Sequence, residues 1–236
     1  MRDTHDDSTA MPVAVRALAS IMLGDGSREA VLQKTCEAAT AVISGADEAS
    51  VTLLADSPHT VASTGSMATQ ADEAQYRAGQ GPCLEAAHEG RPVIVADLGQ
   101  EQRWPSYAAA ALASGVSASL SVPLEIRGAP AGALNIYARR ADAFDAAMVD
   151  TAFDLAHYAG IVATVSDERD RAVKLAEEMQ QAMQSRAIIE QAKGILMRES
   201  GGSSEDAFQL LVRLSQESHQ KLRDVAQRLV DQVTGD

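Results

Sequence analysis

Cysteine is nearly absent from this chain. The two present, Cys36 and Cys83, fit neither a metal-binding spacing nor a disulfide framework. A reducing, cytoplasmic location is expected from that usage. Aromatic residues make up only 3% of the 236 residues while 46% are hydrophobic, so the core must be built from Ala, Val and Leu. No apolar run approaches the roughly 18 residues that a membrane helix needs, and no membrane association is expected. The opening segment, Met1-Arg-Asp-Thr-His-Asp-Asp-Ser8, is polar and acidic, unlike a signal peptide, and residues 1–10 are expected to be a disordered leader. There is no phosphate loop, nucleophile elbow, metal-spaced cluster or supported carboxylate pair. These gaps argue against an enzyme, and neither a cofactor nor a metal is expected.

Positive charge is also short. The net charge is −13, which disfavours loose binding to polyanions. The deficit is uneven, however. Residues 185–236 hold seven bases against eight acids, whereas residues 1–184 hold 13 bases against 25 acids. A nucleic-acid surface at the C-terminal end would have to be a local patch, or one doubled by dimerisation.

That end holds the most informative segment, Ser185-Arg-Ala-Ile-Ile-Glu-Gln-Ala-Lys-Gly-Ile-Leu-Met197. At about 100° per residue, Ile188, Ile189, Ala192, Ile195 and Leu196 share one arc of a helix, and Arg186, Ala187, Glu190, Gly194 and Met197 lie opposite. A glycine inside a helix costs roughly 1 kcal/mol against Ala, which suggests close approach by something else. Arg186 and Lys193 flank this small-residue strip. Arg186 could equally pair with Glu190, one turn on.

Upstream, helices are expected over Met11–Leu23 and Arg28–Ser44, the second stopped at Gly45. Strands are expected over Ser50–Leu54, Thr60–Ser63, Pro92–Ala96, Ala118–Leu124 and Ala131–Tyr137, the last two joined through Arg127-Gly-Ala-Pro130. Asp72–Ala78 reads as a short helix or loop, Cys83–Glu89 as a helical turn and Trp104–Ser114 as a helix. The fold class is α+β: an antiparallel sheet flanked by helices, then a long connector helix and a C-terminal three-helix bundle.

No Gly/Pro-rich linker separates these parts. One helical pattern runs from Asp145 to about Met197. Within it Ile161, Val165, Glu168, Ala172, Leu175, Met179, Ala182, Arg186, Ile189, Lys193 and Leu196 step by alternating four and three, the spacing of a coiled coil. Ile161, Val165, Ala172, Leu175, Met179 and Ala182 are its expected dimer interface. The competing reading is a connector whose stripe packs on the sheet-containing domain of its own chain. Beyond it, Gly201-Gly202 ends the helix, and Ser203-Ser-Glu-Asp206 opens another with a serine cap and acids in the first turn. Ala207, Leu210, Leu211 and Leu214 are its inner face, and Leu222, Val225, Ala226, Leu229 and Val233 that of a last helix.

Arg186-Ala-Ile-Ile-Glu-Gln-Ala-Lys-Gly-Ile-Leu-Met197, Asp206-Ala-Phe208 and Lys221-Leu-Arg-Asp-Val-Ala226 together resemble the ANTAR domain, a bacterial RNA-binding module that controls transcription termination. Gly79-Gln-Gly-Pro-Cys-Leu-Glu-Ala86, Ser121-Val-Pro-Leu124 and Gly132-Ala-Leu-Asn-Ile136 resemble a GAF sensory domain. The resemblance implies a GAF-like domain over 11–165, a coiled-coil connector over 166–184 and an ANTAR-like domain over 185–236. It implies a dimeric antitermination regulator that binds tandem RNA stem-loops near terminators, under a small-molecule or protein signal received by the GAF domain. Arg186, Ala187, Lys193, Gly194, Lys221 and Arg223 become the expected RNA-binding residues. Lys221 and Arg223 would sit at a helix N-terminus, whose free N–H groups suit phosphate.

Two other classes compete: a DNA-binding regulator, whose last helix would need polar base readers, and a GAF signalling or scaffold dimer whose C-terminal bundle binds protein, which the acidic total favours. Cys83 is expected in a core or pocket rather than as a redox sensor, and His59 and His88 lack the setting of haem ligands.

Overall fold

The computed structural model describes residues 27–235. The expected leader and the helix expected over Met11–Leu23 lie outside the described residues. The described chain divides between Glu168 and Arg169 into two compact units.

The first unit runs α1 (Arg28–Val42), β1 (Glu48–Leu53), β2 (His59–Ser63), α2 (Ser66–Ala78), α3 (Pro82–Glu89), β3 (Val93–Val95), α4 (Pro105–Ala113), β4 (Ala118–Ile126), β5 (Ala129–Ala138) and the start of α5 (Ala146–Ser200). The strands form one sheet in the order β2-β1-β5-β4-β3, every pair antiparallel. The last strand is therefore central. Its hairpin with β4 turns on Arg127 and Gly128, with φ of 59° and 68°, the doubly left-handed backbone of a tight two-residue turn. The strands continue beyond their expected ends because a bulge at Leu124/Glu125 accommodates Pro130, opposite Glu125.

Strand alternation gives the sheet two unlike faces. One carries Ala49, Val51, Leu120, Val122, Leu134 and Ile136 and is buried with Leu32, Cys36 and Ile43 of α1 and Ala152, Leu155, Ala156 and Ala159 of α5. Along α5, Gly160 lies so close to the sheet that a Cβ there would stand 1.9 Å from the Glu125 carbonyl oxygen. The other face carries Ser50, Thr52, Ser119, Ser121, Asn135 and Tyr137, all buried. A layer containing Met67, Ala71, Ala86, Trp104, Tyr107 and Ala111 packs with Tyr137 on that side.

Helix α2 starts six residues earlier than expected. Its N-cap, Gly65, offers no side chain. The Glu48 carboxylate on β1 accepts from the Ala68 N–H at 2.9 Å instead and satisfies one of the free donors of the first turn.

The second unit combines the C-terminal part of α5 with α6 (Ser204–Ser218) and α7 (Leu222–Thr234). Ala192, Leu196, Ala207, Leu211, Val225 and Ala226 form its core, with Ile188, Ile189, Leu210, Leu222, Leu229 and Val230 partly buried around them. Ser203 and Asp206 form a reciprocal capping box at the start of α6. The structure departs from expectation at Leu214 and Val233, which are exposed. Both lie in the last turns of their helices, past the shared core, and Val230 takes the inward place.

Candidate functional site

The arc expected for α5 is observed. Ala192 and Leu196 are buried and Ile188, Ile189 and Ile195 half-buried, while Arg186, Ala187, Glu190, Gly194 and Met197 are exposed. A Cβ built on Gly194 meets nothing within 4 Å, so the chain's own packing does not require that glycine. Arg186 and Lys221 pair with no carboxylate among the described residues. Lys193 is less free: its side chain is 14% exposed, and its ammonium lies 2.9 Å from Glu190 Oε1. Glu190 thus pairs with Lys193 rather than with Arg186, the pairing that helical spacing also allows.

The six expected RNA residues do not share one face. Met179 and Met197 are five turns apart, so Arg186 and Gly194 continue the side of α5 that bears Met179. Ile188, nine residues from Met179, lies on the opposite side, about 180° around. Arg223 belongs to that opposite side. There a groove of about 310 Å³ is lined by Gln181, Gln184, Ser185 and Ile188 of α5 and by Arg223, Asp224 and Gln227 of α7. Arg223 Nε donates to Asp224 Oδ1 at 3.1 Å. Lys221 is the N-cap of α7 and makes no side-chain cap. Nothing in the sequence singles out Asp224 or the groove's glutamines, because only the fold sets them beside α5.

On the connector helix, Ile161, Val165, Ala172, Leu175, Met179 and Ala182 are all exposed. Leu175 is 57% and Met179 59% accessible, a large apolar exposure for a helix with Glu177 and Glu178 between them. The four–three stepping leaves this side before its expected end: Ile189 and Leu196 turn into the core of their own bundle.

The first unit holds a buried polar cluster that sequence reasoning misses. Asp72 of α2 is fully buried. Its Oδ1 accepts from Tyr137 Oη at 2.5 Å and Asn135 Nδ2 at 3.2 Å, and its Oδ2 from Thr60 Oγ1 at 2.8 Å. Burial pushes the Asp72 carboxyl up to about 6, against the pull of its hydrogen bonds. Gln75 Oε1 accepts from the Cys83 N–H at 2.7 Å. Cys83 is buried as expected, and burial, together with nearby Asp72, pushes its thiol up to about 12, far from the thiolate that redox chemistry needs. The buried Tyr107 Oη, Ser119 Oγ, Ser121 Oγ and Asn135 Oδ1 have no hydrogen-bond partner among the described residues. This is a polar floor beneath a helical lid, held by neutral donors around one acid. The available signal is the repeat of small polar residues at every second strand position, Ser50/Thr52 and Ser119/Ser121.

Among the described residues no helix is long and apolar enough to cross a membrane. Residues 25–163 match the GAF domain family and residues 177–230 the ANTAR domain. No curated protein is similar to the chain. Several solved structures are. Free methionine-R-sulfoxide reductase from Neisseria meningitidis, in complex with its substrate, is 17% identical, covering 72% of this chain and 97% of that one with a TM-score of 0.56. The PixJ GAF domain of Thermosynechococcus elongatus, in its blue-light absorbing form, is 17% identical over 64% of this chain and 93% of its own, with a TM-score of 0.53. The GAF domain of a phosphoenolpyruvate-protein phosphotransferase from Coxiella burnetii is 15% identical over 70% and 98%, also at 0.53. At these identities the likeness concerns the fold alone. The chain belongs to the GAF domain family and carries an ANTAR domain after it, the architecture of an RNA-binding antitermination regulator with a sensory domain.

Proposed function

We propose that the protein acts as a cytoplasmic homodimer, without catalysis of its own, whose ANTAR domains bind tandem RNA hairpins that compete with a terminator. The observation that carries this reading is the open outer side of α5, where Ala187 and Gly194 leave the backbone approachable beside the unpaired Arg186. Arg186, Ala187, Lys193 and Gly194 would meet one part of a hairpin, and Lys221 and Arg223 another, phosphate contacts supplying much of the affinity. The apolar stripe from Ile161 to Ala182 would pair two copies. From Arg186 onward that side mixes the charges of Arg186, Glu190 and Lys193 with Ala187, Gly194 and Met197, and it would be left to RNA. The GAF domain would receive a small-molecule or protein signal, with the Asp72 cluster as the reading site. Its unpartnered hydroxyls favour a polar small molecule over a protein surface.

Crosslinking of RNA to the full-length protein in cells, followed by sequencing, tests the reading. Reads should gather on paired hairpins upstream of terminators. Reads spread without regard to structure, or none above background, would remove it in favour of the protein-binding alternative.

A further inference from the structure

Within the first unit, α5 carries an apolar outer face. Tyr158, Ile161 and Val165 are 47%, 47% and 59% accessible, and the half-buried Val162 lies beside them. The four share an arc of about 100° around the helix. The described chain begins next to this face. Arg28, the first residue of α1, reaches Asp167 of α5 at 3.7 Å, and Val31 packs with Ala163 and Val162. Residue numbers rise along α1 as they fall along α5, so the two helices are antiparallel. Residues 11–23 are separated from α1 only by Gly24-Asp-Gly26 and its N-cap Ser27. So short a connection sets two helices side by side and antiparallel. A helical segment before it is thereby directed back along α1, parallel to α5. Its apolar residues Val15, Leu18 and Met22 step by three and four, the spacing of Tyr158, Ile161 and Val165. The two triplets therefore meet in one parallel register. A helix over residues 11–23 would span about 20 Å, against about 10 Å from Tyr158 to Val165. The GAF match starts at residue 25, so the segment belongs to neither matched domain.

With its consequence for pairing resting on the dimer reading above, we propose that residues 11–23 dock on this face of their own chain and withhold the upstream end of the apolar stripe from a second copy. Val15 meets Tyr158, Leu18 meets Ile161 and Met22 meets Val165. While the segment is docked, only Ala172 to Ala182 remain for pairing. When it leaves, Ile161 and Val165 join the seam. The apparent affinity between copies is then reduced by the fraction of chains whose face is free. The segment acts as an autoinhibitory contact on dimerisation.

Two full-length variants test the docking: Leu18→Cys with Ile161→Cys, and Met22→Cys with Val165→Cys. The native Cys36 and Cys83 are buried and do not compete. Light and heavy-isotope chains are mixed, oxidised mildly, and the linked peptides read by mass spectrometry. Links should form within one chain, without mixed isotopes. Mixed-isotope links would put the segment on a second copy, and an absence of links would leave the face uncovered; either result overturns the proposal. Val15→Asp with Leu18→Asp, in the otherwise native chain, should release the segment. Sedimentation should then give a dimer dissociation constant about tenfold lower, as expected when about nine faces in ten are docked. An unchanged constant for a protein that does dimerise overturns the autoinhibition. If wild type and this variant are both monomeric while links form within one chain, the dimer reading fails and the docking stands.

Discussion

Tyr137, on the central strand β5, donates a 2.5 Å hydrogen bond to Asp72 on α2 and so joins the sheet to the helix that covers its polar face. The acid is buried with no basic partner in its hydrogen bonds, and the folded protein holds its proton more tightly than the unfolded chain does. Stability from this group is complete below pH 4 and is lost as pH rises through about 6. Asp72→Asn keeps an acceptor for Tyr137 and turns a donor towards Thr60, so it should remove that dependence. Urea melts of wild type and variant should differ little at pH 4, and by pH 7 the variant should be the more stable by up to about 3 kcal/mol. Parallel curves from pH 4 to 7 would contradict the assignment.

Two helical glycines should answer the same substitution with opposite signs. Gly160→Ala puts a methyl against the Glu125 carbonyl and should destabilise the fold by about 1–3 kcal/mol. Gly194→Ala enters open space and should stabilise by up to about 1 kcal/mol through helix propensity. Thermal melts of both variants check this.

Charges on the connector should separate the copies. Leu175→Asp with Met179→Asp alters side chains that support no internal packing, both being more than half exposed. Sedimentation should show monomers with native helicity. A dimer that persists would place the main interface elsewhere.

Salt dependence should rank the basic residues. Removing one phosphate interaction makes the slope of log K against log salt shallower by about 0.7 to 0.9, and in a dimer on two hairpins each substitution removes two. Arg186→Ala should therefore reduce the slope more than Lys193→Ala, because Lys193 already answers Glu190. Glu190→Gln should strengthen binding and steepen the slope, and Arg213→Ala should change little. Equal effects of Arg213→Ala and Arg186→Ala would mean that RNA docks on a different face.

Features visible in the sequence are those whose causes lie close along the chain. The capping box of Ser203 and Asp206 spans three residues, and the start of α6 can be read from it. The cap of α2 comes from Glu48, twenty residues before Ala68, and the first turns of that helix escape a local reading. Likewise the arc of Ile188 to Leu196 follows from helical period alone. The grouping of Asp72, Asn135 and Tyr137 depends on strand register, and the placement of Arg223 across α5 from Met179 depends on how α7 docks. Neither has a local signature. Leu214 and Val233 show the reverse error: their period is right, yet the core ends before reaching them.

The pairing of Glu190 with Lys193, and of Asp224 with Arg223, has a consequence for selectivity. A passing phosphodiester chain meets an acid beside each of these bases and must displace it to bind. An RNA that offers only charge gains little there. One whose folded loop also supplies bases of the right shape recovers the deficit. Discrimination then comes from refusing the many weak competitors as much as from gripping the correct one.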